Sequence, residues 1–212
     1  MNPESFTLLA TAATLGLTHT AIGVDHTVPF VVLGRAQGWS LLRTLSMTAL
    51  CGTGHVLSSV VIGALGFFLG WESRGLGVLQ EQRGAWAAWA LIFFGVVYAG
   101  YGVWRLRSGH SHGGLPSRMA PVGSALFLVF LVGPCEALIP LMMAPAWLGT
   151  ASGPWLVAVV FGLTTLATML GLVAMGYLGL RVTYLARLER HLHWVAGVTV
   201  AASGLAIRWL GI

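Results

Sequence analysis

Long apolar runs alternate with short polar segments along the chain, and this pattern is typical of transmembrane helices. A helix that crosses a bilayer needs about 20 predominantly apolar residues. Six stretches meet this requirement: Phe6–Leu33, Leu41–Gly70, Ala85–Trp104, Val122–Trp147, Trp155–Leu180 and Trp194–Leu210. The pattern therefore predicts an all-α polytopic membrane protein with six transmembrane helices.

Composition indicates the same class of protein. Of the 212 residues, 57% are hydrophobic and 8% are charged, whereas a soluble domain carries roughly 25% charged residues. We expect a single transmembrane domain over residues 1–212, with halves 1–107 and 118–212 joined by a short loop at 108–117. The net charge of +5 does not indicate nucleic acid, because the 11 arginines lie between apolar runs and form no basic face. The expected partner is the lipid bilayer, and a homo-oligomer is left open.

The arginines are distributed unevenly between the two sides of the predicted helices. Eight lie in the loops after the first, third and fifth helices, and three lie on the opposite side. Cytoplasmic loops of membrane proteins are enriched in arginine and lysine. We therefore expect a multi-pass protein of the cell membrane with both termini on the non-cytoplasmic side.

A weak internal repeat relates the two halves at an offset of 110 residues. The offset pairs glycines at three positions: Gly23 with Gly133, Gly52 with Gly162 and Gly66 with Gly176. Three helices followed by three would form an inverted repeat, and transporters of that kind hold their substrate near the bilayer midplane, where interrupted helices meet. Proline removes a backbone donor, so the candidate interruptions of helices one and four are Pro29, Pro134, Pro140 and Pro145.

Ionisable and thiol side chains lie inside three of the apolar runs. Charged groups are costly at membrane depth and usually mark a path for ions or protons. Imidazole suits nickel, cobalt, zinc and copper, and a carboxylate compensates the charge of a dication. We therefore predict a metal site between helices one, two and four, formed by His19, Asp25, His26, His55, Cys135 and Glu136. The small residues at 52 and 54 would let another helix approach closely beside this site.

Two short motifs resemble a known family. The pattern G-x-x-H-x5-D-H over residues 16–26, followed by G-x-G-H over residues 52–55, is similar to the nickel/cobalt transporter superfamily. The nearest branches are the NicO-type efflux proteins and the urease-accessory-like membrane permeases. The resemblance implies a transition-metal permease in which Asp25, His26 and His55 match the metal-binding positions.

His19 departs from the spacing of that family. The family signature has four residues between its first histidine and the Asp–His pair, whereas this chain has five, so Thr20 occupies the expected position. One extra residue rotates a side chain by about 100° on a regular helix. We therefore expect His19 to act as a ligand only if the helix is broken or wound differently near Gly16 or Gly23.

The predicted function is secondary transport of a divalent transition metal. The resemblance implies nickel or cobalt, and zinc or iron(II) stay open. We expect no prosthetic group and no enzyme activity. The H-E-x-x-H pattern of metalloproteases is absent, and a chain without lysine cannot contain a G-x-x-x-x-G-K phosphate loop. Coupling to a proton or cation gradient is the expected energy source, with Asp25 or Glu136 as carrier; alternatively Glu136 is protonated and structural.

Two other functions stay open from the sequence. The segment Gly133–Pro134–Cys135 is similar to the proline–cysteine signature of the permease branch, but Cys51 and Cys135 also fit a membrane thiol–disulfide electron carrier. Export of another small solute is the second alternative. Efflux members of the resembled family carry a histidine-rich loop where this chain has His110 and His112, so residues 108–114 are either a ligand-capturing loop or a flexible linker.

Overall fold

The computed structural model describes residues 3–68, 73–107, 120–133, 137–143, 152–179 and 191–210. These residues form eight α-helices and no strand. The helices are α1 (Pro3–Ile22), α2 (Val24–Ala36), α3 (Leu41–Phe68), α4 (Ser73–Arg107), α5 (Ala120–Val132), α6 (Leu138–Met142), α7 (Gly153–Gly179) and α8 (Leu192–Leu210). The all-α class predicted from the apolar pattern is confirmed for the described residues.

Four of these helices are long and apolar enough to cross a membrane. The qualifying segments are Ser5–Ile22 in α1, Leu41–Gly66 in α3, Gly77–Arg107 in α4 and Gly153–Gly179 in α7. Many large apolar side chains lie on the outer faces of the bundle, as lipid-facing residues do, and Trp86, Trp89 and Phe93 on α4 are examples. The described residues are thus all-helical in their regular structure and have the character of a membrane protein.

The first predicted helix is divided at Gly23. This residue has φ −65° and ψ 100°, an extended conformation that ends α1 and precedes α2. Its N–H donates to the carbonyl oxygen of His19 at 2.9 Å, and its own carbonyl accepts from the N–H of His26 at 3.1 Å. A Cβ at Gly23 would lie 3.0 Å from the His19 carbonyl oxygen and 3.0 Å from Asp25 Oδ1. Glycine therefore permits the tight turn that separates the two helices.

The expectation that Pro29 interrupts the first helix is wrong. Pro29 is buried inside α2, which begins at Val24 and continues to Ala36. The proline only removes the amide that would have bonded to the Asp25 carbonyl. The helix is broken six residues earlier, at the extended Gly23.

The fourth predicted helix is represented by α5 and α6. Helix α5 ends at Val132, and α6 begins at Leu138. Pro140 does not interrupt α6, contrary to expectation, because it is in the first turn, where the amide of a helical residue has no partner within the helix. Pro134 and Pro145 lie outside the described residues.

Helix α4 begins twelve residues earlier than the apolar pattern predicts, at Ser73 instead of Ala85. Its first turns therefore contain Glu81 and Arg83, which the sequence placed in a loop. The extension matters for the site, because it brings both charged side chains to the level of the buried histidines.

Helices α4 and α8 pack with their backbones in close contact. A Cβ at Gly95 would lie 2.6 Å from the Gly197 carbonyl oxygen, and a Cβ at Gly197 would lie 2.6 Å from the Gly95 carbonyl oxygen. Gly204 is equally close to α4, with 2.8 Å from its added Cβ to the Ala88 carbonyl oxygen. Small residues at such positions are the usual way for apolar helices to approach closely.

The remaining helices surround α3 and α7. Helix α1 packs on α7, α2 packs on α8 and α7, and α3 contacts both α5 and α7. A Cβ at Gly52 would lie 2.8 Å from Leu166 Cδ2, and one at Gly54 would lie 2.9 Å from Phe127 Cε2. The prediction that these glycines admit neighbouring helices beside His55 is confirmed.

Candidate metal centre

Three histidines from three helices meet in the interior of the bundle. His19 is in the last turn of α1, His26 is in the first turn of α2, and His55 is near the middle of α3. The ring centroids are 4.9 Å apart for His19 and His26 and 5.1 Å apart for His26 and His55. One ring nitrogen from each histidine lies within 4.8 Å of those of the other two. We call these three residues the histidine cluster.

The break at Gly23 explains how His19 reaches the cluster. On a continuous helix His19 and His26 are seven residues apart, so they would share a face but lie about 10 Å apart along the axis. The helix is instead broken between them at Gly23, which is the condition under which His19 was expected to act as a ligand. Thr20, at the position of the histidine in the resembled family, is fully buried and donates its hydroxyl to the Gly16 carbonyl oxygen at 2.7 Å. Gly16 itself stays helical and lies against α7, with 3.0 Å from an added Cβ to the Phe161 carbonyl oxygen.

Asp25 orients the ring of His26. Its Oδ1 lies 2.9 Å from His26 Nδ1, so the ring N–H at that position donates to the carboxylate. Such an outer partner fixes the tautomer of a metal-binding histidine and raises its basicity. His26 is only 2% exposed, whereas the Asp25 side chain is 24% exposed and borders the cavity described below.

His55 is oriented by a backbone carbonyl. His55 Nδ1 lies 3.2 Å from the Phe130 carbonyl oxygen at the end of α5. A carbonyl oxygen can only accept, so Nδ1 carries the proton and the lone pair is on Nε2. The Phe130 carbonyl therefore fixes the tautomer of His55 as the Asp25 carboxylate fixes that of His26, but it does so as a neutral dipole.

The Nε2 atoms of all three histidines are buried and have no hydrogen-bond partner among the described residues. Buried polar atoms are nearly always hydrogen-bonded, and each exception needs a reason. Three such nitrogens side by side are an arrangement that a bound cation would satisfy, because each lone pair can become a metal ligand.

A cavity of about 590 Å³ adjoins the histidine cluster. Its lining residues come from α1 and α2, from α4 and α8, and from α3 and the end of α5 around Phe130 and Gly133. Glu81 and Arg208 are the charged residues at its border besides Asp25 and the histidines. A volume of this size holds many water molecules, so a hydrated ion has room beside the cluster.

Two of the predicted ligands fall on residues that the structure does not describe. Cys135 and Glu136 lie outside the described residues, as do the loop histidines His110 and His112. Cys51 is a free thiol, fully buried in the apolar core with residues such as Met169 and Val173.

Two contributors to the site escaped the sequence prediction. The Phe130 carbonyl is a backbone group, but Pro134 four residues later was a usable signal, because proline cannot donate the amide that normally occupies that carbonyl. Arg83, which bonds to the same helix end, was missed because it was assigned to a loop.

The fold and the site together define an all-helical protein with membrane-spanning character and a buried cluster of three imidazoles. Comparison of the chain with protein-family models, with curated proteins and with solved structures finds no match.

Proposed function

We propose that this chain is a secondary transporter that moves a divalent transition-metal ion across the membrane, with nickel and cobalt as first candidates and zinc and iron(II) as alternatives. The observation that carries the proposal is a set of three buried imidazole nitrogens at the junction of α1, α2 and α3, which have no hydrogen-bond partner among the residues that the structure describes. The resemblance of the 16–26 and 52–55 motifs to nickel/cobalt permeases supports the same substrate class.

The donor set supports a transition metal over a hard cation. Calcium and magnesium prefer shells made of oxygen ligands. Imidazole nitrogen suits nickel, cobalt, zinc and iron, and the Asp25 carboxylate supplies negative charge next to the cluster.

The cluster is more open than a permanent structural site. Ligand nitrogens about 2.1 Å from a tetrahedral ion would be about 3.4 Å from one another. In this structure the three ring nitrogens spread over as much as 4.8 Å. The rings must therefore move inward when an ion enters, and the three nitrogens that the described residues offer leave positions for water. Both features are suited to an ion that has to leave again.

We infer six crossings arranged as a 3+3 inverted repeat, with both termini on the non-cytoplasmic side. In this arrangement α1 with α2 forms the first crossing, α5 with α6 forms the fourth, and α8 forms the sixth. The break at Gly23 and the residue after α5, Gly133, are 110 residues apart, which is the offset of the glycine repeat. The histidine cluster would then lie near the midplane, at the interrupted helices.

We further propose that transport is coupled to a proton or cation gradient and is not driven by a nucleotide. Asp25 is suited to the role of carrier, because it is bonded to a cluster histidine and borders the cavity. An ion that binds His26 changes the charge next to this carboxylate, and this couples the two events.

The proposal is tested with the purified chain, first by measuring metal binding and then by measuring transport. We expect nickel or cobalt to bind with a stoichiometry of one, with nitrogen ligands at about 2.0–2.1 Å in X-ray absorption spectra. With a proton gradient imposed as the driving force, proteoliposomes that contain the chain are expected to transport the same ion faster than empty vesicles do. If none of nickel, cobalt, zinc and iron(II) binds, the proposal is wrong.

Asp25→Asn is expected to weaken nickel binding by about 10- to 100-fold, the usual cost of losing an outer-shell partner of a metal-binding histidine. Asparagine keeps the volume but removes the charge, and its amide oxygen is a weaker acceptor for His26 Nδ1. Calorimetric titration in detergent measures the effect. Glu81→Gln is the control, since this carboxylate borders the same cavity without being bonded to the cluster; equal losses in both variants would contradict the orienting role of Asp25.

A further inference from the structure

Arg83 connects the two helices that position His55. The side chain is half-buried in the early turns of α4. Its Nη2 lies 3.0 Å from Ser58 Oγ on α3, and 3.1 Å and 3.3 Å from the carbonyl oxygens of Leu131 and Gly133 at the end of α5. One guanidinium group therefore ties α3 to the end of α5.

The first connection reaches the backbone of His55. Ser58 Oγ accepts a hydrogen bond from Arg83 and donates one to the His55 carbonyl oxygen at 2.9 Å. Ser58 is three residues after His55, so its hydroxyl lies over the same turn of α3. Arg83 thus restrains the turn of helix from which the imidazole extends.

The second connection reaches the ring of His55 through the end of α5. The Val129 carbonyl accepts from the Gly133 N–H at 2.9 Å, which is the last helical bond among the described residues of this segment. The Phe130 carbonyl accepts from His55 Nδ1, and the Leu131 carbonyl accepts from Arg83. Residue 134 is proline and has no amide hydrogen to offer to Phe130. The carbonyls of Phe130 and Leu131 at this helix end therefore accept from an imidazole and a guanidinium group.

Space at this junction is also restricted. A Cβ at Gly133 would lie 3.4 Å from His55 Nδ1, so the ring is in contact with the end of α5. A small displacement of that helix end would change the distance between Nδ1 and the Phe130 carbonyl oxygen, which is already 3.2 Å. The tautomer of His55 depends on this one bond.

We propose that Arg83 is a positioning residue of the histidine cluster: it holds the end of α5 against α3, so that His55 keeps its proton on Nδ1 and offers Nε2 to the ion. The part of this inference that concerns the ion rests on the proposed function. The part that concerns the tautomer is a property of the metal-free protein and is measured separately.

The direction in which metal affinity changes when Arg83 is replaced distinguishes a positioning role from a purely electrostatic one. A cation near a metal site repels the ion, so its removal by itself would strengthen metal binding or leave it unchanged. Loss of a positioning contact weakens binding, because His55 then populates the tautomer in which Nε2 carries the proton. The two roles of Arg83 therefore lead to opposite changes in affinity.

The experiment compares Arg83→Gln, Ser58→Ala and Arg43→Gln with the unmodified full-length chain. Arg43 is the matched control, because its guanidinium lies over the Trp39 ring, 5.3 Å from the centroid. Nickel titration is expected to show a loss of about 10-fold in Arg83→Gln, a smaller loss in Ser58→Ala and no change in Arg43→Gln. Thermal unfolding and gel filtration verify that each variant is folded.

Nitrogen-15 NMR of histidine-labelled, metal-free protein provides the second measurement, with the His55 signal assigned by its absence in His55→Asn. The unmodified chain is expected to show the Nδ1–H tautomer, and Arg83→Gln a mixture of both tautomers. An unchanged tautomer, or tighter nickel binding in Arg83→Gln, overturns the inference while the proposed function stands. If the unmodified chain binds no metal, the proposed function fails, and the tautomer measurement still decides whether Arg83 positions His55.

Discussion

His26→Asn is expected to reduce nickel affinity by more than about 100-fold, beyond the loss typical of an outer-shell change. His26 is the central member of the cluster, with His19 at 4.9 Å and His55 at 5.1 Å between ring centroids. Asparagine can place its amide nitrogen near the position of Nδ1, so the hydrogen bond to Asp25 is retained. The substitution therefore removes the Nε2 ligand and leaves the buried carboxylate with a donor, which limits the cost in stability.

His191→Asn is the matched control for that experiment. His191 accepts a hydrogen bond from Trp194 Nε1 at 3.0 Å and is not part of the cluster. Titration of both variants with nickel and cobalt should show a large loss for His26→Asn alone, and nickel uptake into proteoliposomes should be lost in parallel. Undiminished binding by folded His26→Asn would remove the cluster from the proposed mechanism.

The uninterrupted helices were predictable because their sequences are long apolar runs in which nothing conflicts with a continuous helix. The apolar runs at Leu41–Gly70, Trp155–Leu180 and Trp194–Leu210 became α3, α7 and α8 with ends that differ by two residues or fewer. Length and hydrophobicity are sufficient when nothing within the run competes with the helix. The early start of α4 was not predictable in this way, because its first turns are polar and carry Glu81 and Arg83.

The break in the first helix shows a limit of sequence reasoning. Proline at position 29 is the stronger local signal, yet the chain is extended at Gly23. The difference arises from tertiary contacts: only glycine leaves room for the His19 carbonyl and the Asp25 carboxylate at 3.0 Å from its absent Cβ. A propensity argument contains no information about such neighbours, although the spacing of His19 did name Gly16 or Gly23 as the place of a break if His19 were to act as a ligand.

The chemistry of the site was predictable only for side chains that are unusual in an apolar run. Asp25, His26 and His55 were recognisable because ionisable groups are rare at membrane depth. The two groups that orient His55 are ordinary by comparison. The Phe130 carbonyl and the Arg83 guanidinium acquire their roles from the place where α5 ends, which depends on how the helices pack.

The wall that α4 and α8 contribute to the cavity depends on the glycines between these two helices. Gly95→Leu is expected to lower the free energy of unfolding by about 3 kcal/mol or more, above the usual range for overpacking, because the new side chain would meet backbone that cannot rotate away. The nearest atoms include the Gly197 carbonyl oxygen at 2.6 Å and the Ala201 Cα at 2.8 Å from an added Cβ.

Gly100→Leu on the same helix is the control, since nothing lies within 4 Å of its added Cβ. Thermal unfolding in detergent should show a marked decrease, or no folded protein at all, for Gly95→Leu, and little change for Gly100→Leu. Because α8 also packs against α2, any folded fraction of Gly95→Leu should bind nickel more weakly than Gly100→Leu does. Equal stability of the two variants would contradict the close backbone contact on which this wall is built.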